Sequence, residues 1–228
     1  MELFVHETIF CRSLQARERY QEIAKGMQGF TMVGTWQTVG MTGRWPTVLN
    51  VWQVPGGWSG WEGFLERTYG SVRRQLDVYF DQFDEVRSGG EDFLMASVPW
   101  SPPVDQLVSE GVMGTLFVHE VTTVRPGAAR EYLAAMNEQW RPLALDHGHQ
   151  LVGMYEGLMT DTAVVTLWAT TAAQHVGLNA SEDPRVGRWR EQSLRWGIPS
   201  LEGATLEDSD FVAAFIDSHA PNSQVRIG

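Results

Sequence analysis

Leu-Phe-Val-His-Glu occupies residues 3–7 of the chain, and the same five residues occur again at 116–120. The two copies are 113 residues apart, and at that same offset Ala16-Arg17-Glu18 matches Ala129-Arg130-Glu131. Because a second match in the same register is hard to attribute to coincidence, the pattern indicates that one structural unit occurs twice.

Each copy carries the same series of local patterns. The first element is a strand rich in β-branched and aromatic residues. A helix with apolar residues three and four positions apart follows, and then a hairpin of two strands. A second helical stretch and a last strand complete the unit, so the predicted order is β-α-β-β-α-β, the ferredoxin-like arrangement. The predicted strands are 2–11, 30–39, 45–54 and near 92–98 in the first unit, and 115–124, 150–158, 162–170 and near 201–207 in the second.

Two such units explain how the chain covers its apolar surface. The helices of one ferredoxin-like unit cover a single face of its sheet, which leaves the other face bare. Two units can cover each other by packing sheet to sheet within one chain. We therefore predict an α+β protein made of residues 1–108, the first unit, and residues 109–228, the second unit with a C-terminal tail.

The composition limits the partners and the compartment. With 43% hydrophobic and 20% charged residues, the 228-residue chain has a globular composition. A net charge of -11 disfavours nucleic acid and anionic membrane as partners. Cys11 is the single cysteine, no signal-peptide pattern opens the sequence, and no apolar run is long enough to span a bilayer. These features predict a cytoplasmic protein.

The repeated five residues also carry the first candidates for chemistry. His6 and His119 titrate near neutral pH, and Glu7 is a carboxylate beside one of them, so each is a candidate catalytic base. A structural alternative is open for the histidines, which would then pair across the two units. It is also open for the glutamates, Glu7 with Arg17 and Glu120 with Arg130, as salt bridges.

Aromatic residues of the two hairpins are the second group of candidates. The chain has ten tryptophans, a number that suits either a core of large rings or a pocket for a planar ligand. If the hairpin strands face a cavity, they present an aromatic wall with one polar tip, Asn50, which Thr166 replaces in the second copy. The predicted substrate-binding residues are Trp36, Asn50, Trp52, Tyr155 and Trp168.

The hairpin residues resemble a known group of proteins. Val33-Gly34-x-Trp36, a turn, and Val48-x-Asn50-Val51-Trp52 are similar to the NIPSNAP-like and antibiotic-biosynthesis-monooxygenase members of the dimeric α/β barrel superfamily. The second copy has a looser version, Val152-Gly153-x-Tyr155 followed by Val164-Val165-Thr166-Leu167-Trp168. The resemblance covers about residues 2–207 and implies an intramolecular dimeric α/β barrel.

The same resemblance implies a function in secondary metabolism. In oxygenases of the superfamily, an aromatic and asparagine cluster holds a phenolic substrate whose own carbanion reduces oxygen. We therefore expect a monooxygenase or cyclase that acts on an aromatic or polyketide-like metabolite without a cofactor, by oxygenation, cyclisation or rearrangement. The expected partner is a small hydrophobic or aromatic substrate, and pairing of two chains into a homodimer stays open.

Two alternatives follow from the same superfamily. One is a haem-dependent enzyme, in which His175 of the second unit would be the axial ligand, as a histidine of that unit is in haem-binding relatives. The other is a protein that binds a hydrophobic metabolite without catalysis. No metal site is expected, because His147-Gly148-His149 has no evident further ligand in the sequence.

Overall fold

The computed structural model describes residues 1–27, 29–38, 45–69, 81–160 and 162–197, and the backbone of 214–217. The strands are β1 Leu3–Cys11, β2 Thr31–Thr38, β3 Thr47–Val54, β4 Arg87–Ser97, β5 Leu116–Thr123, β6 Gln150–Gly157, β7 Ala163–Thr170 and β8 Ala214–Asp217. The helices are α1 Leu14–Lys25, α2 Trp58–Tyr69, α3 Val104–Ser109, α4 Ala129–Ala135, α5 Arg141–Asp146, α6 Ala172–Asn179 and α7 Pro184–Ser193. A π-helical segment, Met136–Trp140, joins α4 to α5. No helix in these ranges has the length and apolarity that crossing a membrane requires.

The strands form one antiparallel sheet with the same internal order in each half of the chain. That order is β4-β1-β3-β2 in the first half and β8-β5-β7-β6 in the second. β4 pairs with β6, which makes β2-β3-β1-β4-β6-β7-β5 a continuous sheet of seven strands. The backbone of β8 pairs with both outer strands, β2 and β5, so that the pairings close into a ring. The mixed α+β class predicted from the sequence is confirmed.

The last strand of each half departs most from the predicted bounds. β4 begins at Arg87 rather than near residue 92, because Gly89 and Gly90 pair with Phe10 and Ile9 although glycines weaken a strand pattern. The strand predicted near 201–207 lies outside the described residues. The fourth strand of the second half is β8, at Ala214–Asp217.

The sheet has an inner and an outer face. Inside the ring, side chains from both halves meet in one apolar cluster, where Phe4 packs edge-on against Tyr155 and Trp36 packs against Phe117. On the outer face, helices cover the strands with separate apolar clusters for each half. Because side chains alternate along a strand, consecutive residues such as His6 and Glu7 lie on opposite faces.

Ser13 begins the helix that covers the first half. Its side chain accepts a hydrogen bond of 3.1 Å from the backbone N–H of Ala16, which satisfies one of the free donors at the start of α1. α1 then buries Tyr20, Gln21 and Ala24 against the sheet. Tyr20 and Gln21 therefore bring polar groups to a surface that is otherwise mainly apolar, and this surface contains the candidate site.

Candidate active site

Glu7 is the centre of a polar cluster between the outer face of the sheet and α1. Its Oε2 atom accepts hydrogen bonds from the Tyr20 hydroxyl at 2.9 Å, from Asn50 Nδ2 at 2.7 Å and from Trp52 Nε1 at 3.3 Å. Glu7 and Asn50 are directly paired residues of β1 and β3, so their side chains leave the sheet on the same face. Three donors thus converge on one carboxylate oxygen, and Oε1 takes part in none of these bonds.

Glu7 also borders an open cleft of about 530 Å³. Residues of β1, of β4 and of the helical turn at 81–84 line this cleft, among them Ile9 and Asp84, together with Arg12, which follows β1 directly. Asp92 lines it as well and is the direct partner of Glu7 on β4, so two carboxylates point from neighbouring strands toward the same space. The wall of the cleft is therefore mainly charged, whereas the sequence had predicted an aromatic-lined cavity.

The predicted aromatic wall is wrong in its geometry. Trp36 is paired with Leu49, and Asn50 is paired with Thr35, because β2 has a register shift between Met32 and Gly34. Trp36 consequently lies inside the ring, whereas Asn50 and Trp52 lie outside it beneath α1. The two tryptophans cannot line one pocket, and only Asn50 and Trp52 belong to the Glu7 cluster.

The second half has the same arrangement of faces but different polar contacts. Tyr155 lies inside the ring and Trp168 outside it. The Glu120 carboxylate accepts a hydrogen bond of 2.8 Å from Thr166, the residue that replaces Asn50. Trp168 Nε1 is buried and makes no hydrogen bond within the described part of the chain, whereas Trp52 Nε1 donates to Glu7. Burial raises the pKa of Glu120, and the Thr166 hydrogen bond opposes this effect.

The salt-bridge alternative is not what holds these glutamates. Arg130 forms its ion pair with Glu156, at 2.8 Å, rather than with Glu120. Neutral donors surround the Glu7 oxygen, and Arg17 Nε is a buried atom with no hydrogen-bond partner among the described residues. Tyr20 was not predicted as a site residue, because its helical spacing marked it only as part of the apolar stripe of α1.

His6 and His119 lie away from the cleft, on the inner face. Their Nε2 atoms are 2.9 Å apart, their rings are stacked, and His6 also stacks on Phe93. Burial lowers the pKa of His6 to about 4. It also lowers the pKa of His119 well below the usual range, an effect to which His6 adds. One neutral ring therefore donates and the other accepts, which favours the structural pairing across the two halves over a catalytic role.

His175 does not fit the role of a haem ligand. The atom that would bind iron, Nε2, lies 3.1 Å from the amide nitrogen of Asn179, and Nδ1 lies 3.4 Å from His149 Nε2. The side chain stands on α6 and is half-buried, and its chain neighbours Gln174 and Val176 are exposed.

Comparisons with known proteins show which solved structures have a similar fold. Neither a protein-family model nor a curated protein matches the sequence. An anthrone oxidase-like protein of known structure matches with a TM-score of 0.62 and 15% identity, over 87% of this chain and 87% of its own. A proposed monooxygenase from Fusobacterium nucleatum subsp. nucleatum matches with a TM-score of 0.54 and 8% identity, over 86% of this chain and 87% of its own.

A proposed monooxygenase from Lactobacillus acidophilus NCFM matches with a TM-score of 0.53 and 8% identity, over 86% of this chain and 88% of its own. At these identities the likeness concerns the fold alone. The fold is thus similar to that of the anthrone oxidase-like protein and of the two proposed monooxygenases.

Proposed function

We propose that the chain is a tandem duplication of a ferredoxin-like unit, with residues 1–108 and 109–228 as the two copies of an intramolecular dimeric α/β barrel. The repeated strand order supports this proposal, as does the way in which each half contributes one residue to the His6–His119 contact. The shared register shift, between Met32 and Gly34 in β2 and between Leu151 and Gly153 in β6, supports it further.

We further propose that the protein is an enzyme that acts on an aromatic or polyketide-like metabolite, by cofactor-independent oxygenation, at the Glu7 cluster of the first half. The observation that carries this proposal is the convergence of Tyr20, Asn50 and Trp52 on one oxygen of Glu7 at the border of a cleft. A carboxylate that is held in one orientation, with its other oxygen outside these bonds, suits a general base.

The reaction needs a substrate that supplies its own electrons. Glu7 removes a proton from an acidic C–H group of an electron-rich phenolic ring system, and the resulting carbanion transfers electrons to O₂. The carbon and oxygen combine to a peroxide anion, which takes up the proton from Glu7 to become a hydroperoxide, and this loses water to leave a carbonyl group. In total, a CH₂ group and O₂ become a C=O group and H₂O, and Glu7 returns to its ionised form.

The neighbours of Glu7 have positioning roles in this scheme. The Asn50 amide and the Trp52 indole hold the carboxylate in place, and the Tyr20 hydroxyl brings a further donor from α1. The second half lacks the asparagine and leaves the Trp168 indole without a hydrogen bond to Glu120 in the described structure. We therefore assign the reaction to the first half alone. Cyclisation or rearrangement of the same substrate class would use the same base and no oxygen.

Glu7→Gln is expected to lower turnover by at least about 100-fold, since a positioned general base contributes roughly 10²–10⁴ in rate. The measurement is oxygen uptake by the full chain with 1,8-dihydroxyanthrone as the probe substrate. Glu120→Gln is the matched control in the second half, and its turnover should stay within about twofold of the unmodified protein. Equal turnover in the two variants would contradict the assignment of Glu7 as the base.

Binding of the probe separates this proposal from a protein that only sequesters a metabolite. Quenching of tryptophan fluorescence gives the dissociation constant, and Glu7→Gln should change it far less than it changes turnover. If the unmodified protein binds the probe but neither consumes oxygen nor converts it, the enzymatic proposal is wrong and a binding function replaces it.

A further inference from the structure

Arg12 lines the cleft just beyond the end of β1, and two consecutive backbone carbonyls hold it there. Its backbone N–H donates to the Val86 oxygen at 3.0 Å, and its side-chain Nε–H donates to the Arg87 oxygen at 2.9 Å. The residue is nevertheless exposed to solvent. Among the described residues, no hydrogen bond or ion pair reaches its two terminal nitrogen atoms. The Arg12 side chain is therefore anchored at Nε, and its other donors are left for a ligand.

The charges around Arg12 show where an anionic group could bind. The other cation of the cleft, Arg87, lies 3.6 Å from Asp84. The remaining charged residues of the wall are carboxylates, namely Glu7, Glu91 and Asp92. Because carboxylates repel an anion, the part of the cleft beside Arg12 is the favourable place for a negative group. α1 begins two residues later, and its first turn contains no acidic residue, so the positive end of its helix dipole acts in the same direction.

The wall between Glu7 and Arg12 suits a flat ring system. Ile9 is two residues after Glu7 on the same face of β1, about 7 Å along the strand. It is directly paired with Gly90 of β4, and its side chain lies so close to this glycine that a Cβ atom there would meet Ile9 Cδ1 at 2.7 Å. Arg12 is five residues from Glu7, at most about 17 Å along the chain. The two side chains and a fused aromatic ring system over Ile9 can bridge this distance together.

We propose that Arg12 binds a carboxylate of the substrate, so that the substrate is an aromatic polyketide-like acid with its carboxylate on an outer ring. This inference rests on the proposed function, because Glu7 sets the position of the reacting CH₂ group. A guanidinium group donates two parallel N–H bonds to the two oxygens of a carboxylate, a geometry that fixes direction as well as charge. Arg12 is thus a specificity-determining residue that orients the ring system toward Glu7, and it takes no part in the proton transfer.

Two anthraquinones that differ by one carboxylate test this inference apart from turnover, since neither has a CH₂ group to oxidise. They are 1,8-dihydroxyanthraquinone and 1,8-dihydroxyanthraquinone-3-carboxylic acid. Calorimetric titration of the full chain at pH 7 and low ionic strength should give a dissociation constant at least about tenfold lower for the acid, as expected for a charge-assisted pair of hydrogen bonds. Arg12→Gln should reduce this preference to less than about twofold. Because Arg12 is exposed, the variant should keep the melting temperature of the unmodified protein.

Arg19→Gln is the matched control. It removes the same charge from an exposed arginine of α1 that pairs with Glu85 at 3.1 Å and does not line the cleft, so the preference for the acid should persist. Equal affinity of the unmodified protein for the two ligands overturns the role of Arg12, and so does failure to bind the acid at all. A preference that Arg12→Gln retains, or that Arg19→Gln loses equally, also overturns it.

Failure of the proposed reaction would give a different result from failure of this inference. If the protein prefers the acid through Arg12 but does not oxidise 1,8-dihydroxyanthrone, the carboxylate site stands and the oxygenation is wrong. If Glu7→Gln abolishes turnover but no preference for the acid is measured, the reaction stands and Arg12 is not the residue that selects the substrate.

Discussion

Lowering the pH from 7 to 4 is expected to reduce the free energy of unfolding by about 3 kcal/mol through His6 alone. In the folded chain the pKa of His6 is about 4, whereas in the unfolded chain it returns to about 6.5. Between these two values the unfolded chain binds more protons than the folded chain, so stability falls as the pH decreases through this window. His119 acts in the same direction, because its pKa is also lowered by burial.

The cause of this sensitivity is that the two neutral rings share one proton between their Nε2 atoms, and both rings are shielded from the solvent that would stabilise a charged ring. His6 is 3% exposed and His119 is 2% exposed, and their Nδ1 atoms have no hydrogen-bond partner among the described residues. A second proton would place a charged imidazolium next to Phe93 in an apolar core. Urea unfolding at several pH values between 7 and 4 measures the effect.

The double variant His6→Leu/His119→Leu isolates the contribution of the pair. Replacing both hydrogen-bonded partners by apolar side chains of similar volume is often close to neutral at pH 7, so the variant should be folded there and should lose less stability on acidification. His149 and His175 have lowered pKa values in both proteins, and Glu120, with its raised pKa, acts in the opposite direction. If the double variant and the unmodified protein lose equal stability, the buried pair is not the source.

The repeat made most of the fold predictable. Two identical five-residue segments imply that the patterns after them also correspond. A weak strand or helix pattern in one half could therefore be interpreted with the help of the corresponding pattern in the other half. The α+β class and most strand positions follow from this comparison. The β8 position did not, because a four-residue strand whose sequence is Ala-Phe-Ile-Asp is too short to show a period.

The candidate site was predictable only in part, for a geometric reason. Alternation within a strand shows which of its residues share a face. It does not show which residues of the neighbouring strand lie on that same face, because this depends on the register between the two strands. A register shift near Gly34 pairs Trp36 with Leu49. Trp36 therefore lies on the opposite face of the sheet from Asn50 and Trp52, which share one face. Tyr20 reaches Glu7 from a helix, and Asp92 reaches it from β4. Contacts of this kind depend on tertiary packing and leave no pattern in the sequence.

Gly34→Ala is expected to destabilise the fold by about 3 kcal/mol, and Gly153→Ala by a similar amount, since a large aromatic side chain would be displaced from the core. In each half the glycine is two residues before an inward-facing ring, Trp36 or Tyr155, and that ring lies across it. A Cβ atom at Gly34 would overlap the Trp36 ring, and one at Gly153 would overlap the Tyr155 ring. Both rings are almost fully buried and pack against the other half, Trp36 on Phe117 and Tyr155 on Phe4.

A packing requirement therefore explains why glycine and an aromatic residue occur together in both copies of the Val-Gly-x-aromatic motif. Gly177→Ala on α6 is the control, because a Cβ atom there meets nothing within 4 Å, and the change should be neutral or stabilise by up to about 1 kcal/mol. A double-mutant cycle gives the decisive measurement. If the clash with the ring is the cause, Gly34→Ala should cost much less in a Trp36→Ala background than in the unmodified protein. An equal cost in both backgrounds would mean that the glycine is required by the backbone of the β2 bulge and not by the ring that covers it.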